Sequence, residues 1–143
     1  MATPIVSSTV SSLRPRVPNS VRLFRSGVDN YEAAQQALLD DKLLDALEYG
    51  YRAALRLAGA RVADSPVAKR RRLPRSAWDQ LRLVDQRGAE YADLFEAFSR
   101  VRQRALNGLD RHVSPARVGT LMRLVESFLD DVDEQLHPTS TAA

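Results

Sequence analysis

Cysteine is absent from the 143 residues, which excludes a disulfide framework, a thiolate metal site and a cysteine nucleophile. Histidine is almost absent too. His112 and His137 are the two imidazoles, too few for a histidine-built metal site, so neither metal nor cofactor is expected. No apolar run approaches the roughly 20 residues that cross a bilayer. The N-terminus lacks the basic start and apolar core of a signal peptide, and the expectation is a cytoplasmic protein. Lysine is scarce: of 21 basic residues only Lys42 and Lys69 are lysines. No stretch alternates polar and apolar residues as a half-buried strand would, which leaves an all-α fold.

What is present is helical periodicity and an uneven distribution of charge. The length suits one domain with a real core. Residues 1–75 carry 13 Lys or Arg against 7 Asp or Glu, a net +6, whereas residues 76–143 carry 8 against 11, a net −3. A basic half attracts nucleic acid or an acidic partner; equally, the two halves can pair with each other across the fold. The most informative stretch is Lys42–Val62. At about 100° per residue, Leu43, Leu44, Leu47, Tyr51, Ala54, Leu55, Ala58 and Val62 form one apolar stripe, and Ala46, Gly50, Ala53, Leu57 and Ala60 form a second. Asp45, Glu48, Tyr49, Arg52 and Arg56 fill the remaining strip, with Glu48 and Arg52 spaced i, i+4 to support an exposed face. A helix so broadly apolar has neighbours on two sides, and its small stripe lets one of them come close.

Around this central helix the chain divides as follows. Residues 1–27, with Pro4, Pro15 and Pro18 and the cations Arg14, Arg16, Arg22 and Arg25, read for the most part as a disordered basic tail, of which Val21 to Phe24 can dock loosely on the domain. A single domain covers 28–137, and 138–143 is a disordered C-terminus. The first helix is expected to start at Asp29, with Glu32 completing a capping box, and to end near Leu39, where Asp40-Asp41 closes a turn. Ser65-Pro66 opens a break that lasts to Pro74 and contains the densest charge run, Lys69-Arg70-Arg71-Arg72. Nothing in that break is expected to pack. Those four residues are the candidate nucleic-acid contacts, as a phosphate-binding loop, with a nuclear localisation signal or a plain solvated linker as the other readings.

Ser76 caps a short helix bearing Trp78, Leu81 and Val84, which Gly88 ends. The next helix, from about Ala89 to Leu106, carries Tyr91, Leu94, Phe95, Phe98, Val101 and Ala105 at helical spacing and stops at Asn107-Gly108. Arg102 interrupts that stripe. A charge there needs a partner or a route to water: it snorkels at the end of the bundle, joins a buried pair, or lines a cleft. Ser114-Pro115 starts the last helix, whose stripe is Val118, Leu121, Met122, Val125, Phe128, Leu129, Val132 and Leu136, with Glu126, Asp130, Asp131, Asp133 and Glu134 outside it. The expected fold is therefore a four-helix up-and-down bundle with one additional short helix.

The order of these elements, with Gly50, Tyr51, Ala54 and Ala58 as a Gly-Tyr-x-x-Ala-x-x-x-Ala helix, then a long loop, a Trp-bearing short helix and AEYADLFEAFSRVRQRAL, resembles the HEPN superfamily, in particular small stand-alone HEPN proteins of actinobacteria. The resemblance covers about residues 29–136. It implies frequent homodimerisation and a link to RNA cleavage, RNA binding, or partners such as a nucleotidyltransferase or an antitoxin. Active members of the family use an Arg, four to six residues, then a His, with His as general acid or base and Arg stabilising the phosphorane charge, so that no metal is required. Here Arg104 and His112, the candidate catalytic pair, have seven residues between them and Gly108 interrupts the helix. The leading expectation is thus a non-catalytic HEPN-type module that binds RNA, a nucleotide or a protein partner as a homodimer. The alternatives are a toxin-like, metal-independent endoribonuclease using Arg104 and His112, and a tetratricopeptide-like helical adaptor. Against the last, no second copy recurs at the roughly 34-residue period of such repeats.

Overall fold

In the computed structural model, which describes residues 16–108 and 113–138, all the regular structure is helical. The helices are α1 (Asn19–Leu39), α2 (Leu43–Ala63), the short α3 (Ala77–Arg82), α4 (Gln86–Leu106) and α5 (Pro115–Leu136), with one turn of 3₁₀ helix at Pro66–Lys69. Side-chain contacts fix the directions. Arg61 reaches Asp85 while Glu48 reaches Arg102, so α2 and α4 run antiparallel. Tyr91 meets Ser127, and Phe24 meets His137, so α5 is antiparallel to both α4 and α1. The result is an up-and-down bundle, with α3 laid across α2 and α4.

The central helix behaves as its two stripes require. Ala46, Ala53, Ala54, Leu57, Ala58 and Ala60 are wholly buried. The small stripe admits α1 so closely that a Cβ on Gly27 would stand 2.8 Å from Cδ2 and 2.9 Å from Cγ of the buried Leu57. Gly27→Ala would force Leu57 off its position, at a cost of about 1–3 kcal/mol. On another side, Leu121 and Met122 of α5 approach Gly50. An aromatic column fills the centre: Tyr51 meets Trp78 edge-on, Trp78 stacks on Phe95, and Phe95 and Phe128 both lie against Tyr91. Trp78 Nε1 donates to the Tyr51 hydroxyl at 2.9 Å, which satisfies both buried polar atoms.

The caps at Ser76 and Ser114 form as expected, their hydroxyls accepting from the amides of Trp78 and Asp79 and of Arg117. The α1–α2 turn is a Schellman closure: Asp41 sits at φ 58°, its amide donates to Leu38 O, and the Lys42 amide donates to Ala37 O.

Four expectations need correction. Helix α1 begins at Asn19, ten residues before Asp29, so residues 19–27 of the expected tail are helical. Ser20, Leu23, Phe24 and Gly27 form a helical stripe that continues into Tyr31, Ala34 and Leu38, and Leu23 lies against Gly59. Residues 1–15 and 139–143, where the remaining expected disorder falls, lie outside the described residues. Gly88 does not end α3; it is in the first turn of α4, capped by the Asp85 carboxylate at 2.7 Å and pressed against Leu81 O. The break after α2 does pack, because Val67 is buried beneath the 3₁₀ turn and Ser65 donates to Val62 O. Finally, Leu44 and Leu94 occupy apolar stripes yet are about half exposed, at 51% and 48%, because no described element covers them.

Candidate functional site

The basic loop follows directly from how α2 ends. Ser65 Oγ accepts from the Val67 amide, Pro66 starts the 3₁₀ turn, and buried Val67 anchors it, which leaves Lys69, Arg70, Arg71 and Arg72 facing solvent. At the far end of the loop, Gln80 Nε2 donates to Pro74 O at 2.7 Å. The run is thus held at both ends. Among the described residues no carboxylate pairs with any of these four cations or with Arg75, although carboxylates pair with other arginines nearby. Arg61, one turn before the loop, binds Asp85 at 2.8 Å, and Arg87 binds Asp131 at 2.6 Å.

Arg102 lies lower on the bundle, level with the second turn of α2. Its Nε and Nη2 donate to the two carboxylate oxygens of Glu48 at 2.5 and 2.9 Å, and its guanidinium lies 5.4 Å from the Tyr51 ring centroid. The anomaly in the α4 stripe is therefore resolved by a bidentate pair between α2 and α4. Arg52 joins from the same helix at 3.1 Å, as the i, i+4 spacing implied. Hydrogen bonds from Arg102, helped by the charges of both arginines, hold the Glu48 carboxyl below the usual carboxylate range against the opposing effect of partial burial. The pair also lines a groove of about 260 Å³ with Leu44, Asp45, Leu47, Ala105 and Leu106. Arg102 is thus both a paired residue and a cleft-lining one.

The proposed catalytic pair is only half described. Arg104 is exposed on the last turn of α4, and His112 lies outside the described residues. Close by, α4 and α5 diverge around a second groove, of about 280 Å³, lined by Ala97, Phe98, Val101, Arg117 and Thr120. Sequence reasoning overlooked Arg117. A cation in the first turn of a helix opposes the macrodipole, and that was the available signal. On α5 three of the acidic residues are engaged with neighbours: Asp131 takes Arg87 and the Tyr91 hydroxyl, Asp133 takes His137, and Glu126 accepts from Tyr31. Burial, and the negative charge of Asp131 beside it, push the Tyr91 hydroxyl above the normal tyrosine value. Among the described residues no three His, Asp or Glu are placed to hold a metal ion, and no helix is long and apolar enough to cross a membrane.

No curated protein and no solved structure matches the chain. A family model does: the one described as SAV_6107-like HEPN matches residues 40–133, which spans α2, α3, α4 and most of α5 and leaves out α1. With a match over well more than half its length and a helical bundle of the matching kind, the chain belongs to the HEPN superfamily.

Proposed function

We propose that this protein is a non-catalytic HEPN-type module that binds RNA through the phosphate contacts of Lys69, Arg70, Arg71 and Arg72. One observation carries the reading. Four consecutive cations stand exposed on a pinned loop with no described carboxylate beside them, while Arg61, near the end of the helix that leads into the loop, is paired with Asp85. A pre-positioned cluster of unpaired charge gains by meeting phosphate and releasing its counterions. Replacing the four residues with Ser should weaken binding of a single-stranded or hairpin RNA and reduce the slope of log K against log salt by about 3. If the parent binds no RNA at low salt, or the variant keeps its affinity and slope, the loop is a solvated linker.

The module works as a homodimer in this reading. Leu44 and Leu106, 51% and 63% exposed, meet at the Arg102 groove and offer an apolar contact to a second copy. A monomeric mass by light scattering at tens of micromolar would remove that element. Cleavage is not part of the proposal. Metal-independent cutting of RNA to 2′,3′-cyclic phosphate ends, abolished by both Arg104→Ala and His112→Ala, would make the protein a ribonuclease instead.

A further inference from the structure

We infer that the groove between α4 and α5 binds a small amphiphilic anion: a compact apolar body, phenyl or branched alkyl, that carries one carboxylate. Arg117 receives the carboxylate, and the floor of Ala97, Phe98 and Val101 receives the body. The site is separate from the basic loop. Arg61 and Asp85 bring the end of α2, from which the loop departs, to the start of α4, and from Asp85 to Val101 is about 24 Å along a helix at 1.5 Å per residue.

The first argument is how the groove arises. Toward the start of α4 the two helices are tied together: the Tyr91 hydroxyl meets Ser127 and Asp131, and its ring lies 4.6 Å from that of Phe128. Farther along, α4 presents Ala97 and α5 presents Thr120, side chains too short to bridge the seam, and an opening of about 280 Å³ results. Leu94, 48% exposed, stands one turn before Ala97 and Phe98 on the same side of α4 and prolongs the apolar floor.

The second argument is charge complementarity. Among the described lining residues Arg117 is the one that ionises, and it enters no ion pair with a described residue. Arg123 stands beside the groove, its Nη2 donating to the Thr120 hydroxyl at 3.3 Å. On the far side of Ala97 the acids Asp93 and Glu96 are both taken by Arg82, while Arg100 has no described acid. The rim is therefore positive. A carboxylate is the anion that one guanidinium holds on two parallel hydrogen bonds, and a single directing charge beside an apolar surface is the pattern of small-molecule sites.

The third argument is what the groove cannot satisfy. A sugar or nucleotide brings several hydroxyl and ring-edge groups, each costly when buried without a partner. Besides Arg117 the described lining offers one polar side chain, the Thr120 hydroxyl, and it is already committed: it donates to Ala116 O at 3.0 Å and accepts from Arg123. A volume of about 280 Å³ also lies at the small end of ligand clefts, which suits a compact body rather than a long chain.

The test is an NMR titration of the full chain labelled with nitrogen-15, with phenylacetate as the probe and phenylacetamide and acetate as controls. Phenylacetate should bind saturably with a Kd on the order of 1 mM, moving amides around Ala97–Val101 and Arg117–Thr120 and leaving those of Lys69–Arg72 in place. Phenylacetamide, which lacks the charge, and acetate, which lacks the body, should each bind at least about tenfold more weakly. Arg117→Met keeps an apolar stem without the charge and should abolish the preference for acid over amide. Ala97→Leu fills the groove and should abolish phenylacetate binding. Both positions are exposed, so both variants should keep the parent's thermal midpoint. No saturable binding of phenylacetate, equal binding of acid and amide, a preference that survives Arg117→Met, binding that survives Ala97→Leu, or shifts that map away from the two helices would each overturn the inference, and none of them bears on the loop's role in RNA binding.

Discussion

Lys69–Arg72 and Arg102 are both clusters or single cases of positive charge in a HEPN bundle, and they differ in their carboxylates. Arg102 has Glu48 on both of its prongs, with Arg52 sharing the same acid. The loop cations have no described acid, although Asp85 and Asp131 serve arginines in the same region. Charge that is internally paired contributes to the fold, whereas charge left unpaired on a pinned segment is available to a partner. The comparison separates stability from binding: substitutions at Arg102 should be read in melting curves, and substitutions in the loop in affinity.

The largest effect is expected away from both sets of cations, in the apolar packing at the start of α1. Removing residues 1–24 takes away Leu23 and Phe24, which pack on the core. It should cost about 2–4 kcal/mol, judged from large-to-small core substitutions, and lower the thermal midpoint by about 5–12 °C. An unchanged midpoint would mean that the first turns of α1 do not pack.

A smaller effect addresses the comparison directly. Glu48→Gln leaves Arg102 without its charged partner and should cost about 1.5 kcal/mol, the worth of a hydrogen-bonded charge. Replacing all of Lys69–Arg72 with Ser should stay within about 0.5 kcal/mol. Urea melts giving the reverse order would dissolve the distinction between the two regions.

The pH dependence sharpens the same point. Because the folded-state pKa of Glu48 is depressed, its contribution is fully present above the unfolded glutamate value of about 4.3 and is lost as pH falls through the lower folded value. Parent and Glu48→Gln should therefore differ by a constant amount above about pH 4.3, draw together as pH falls below it, and meet only below the depressed folded value of Glu48. A difference that stays constant through that fall would show that the Arg102 bonds do not depend on the charge.

The smallest effect lies at the α1–α2 turn. Asp41 holds φ 58°, and Asp41→Gly should stabilise by about 0.5 kcal/mol through relief of that conformation. A loss of stability would indicate that the aspartate side chain contributes more than its backbone strain.

Much of this was legible in the sequence, for physical reasons that also explain the failures. The central helix, the Ser76 and Ser114 caps and the α5 stripe each depend on local spacing, which a sequence displays directly. The start of α1 was hidden because its buried positions include Ser20 and Gly27, residues that carry no hydrophobic signal and bury because the neighbouring helix comes so near. Arg102 was visible as an outlier, but its partner stands 54 positions away and only the fold brings Glu48 to it. Leu44 and Leu94 show the opposite limit: periodicity tells which way a side chain faces, not whether anything covers it.

Trp78 gives the molecule an optical property. It is the single tryptophan of the chain, it is shielded from water at 4% exposure, and its indole N–H is tied to Tyr51, whose ring lies under Arg102. Its emission should be blue-shifted in the folded protein and move red on unfolding. One fluorophore, with no label attached, then reports on the meeting point of α2, α3 and α4.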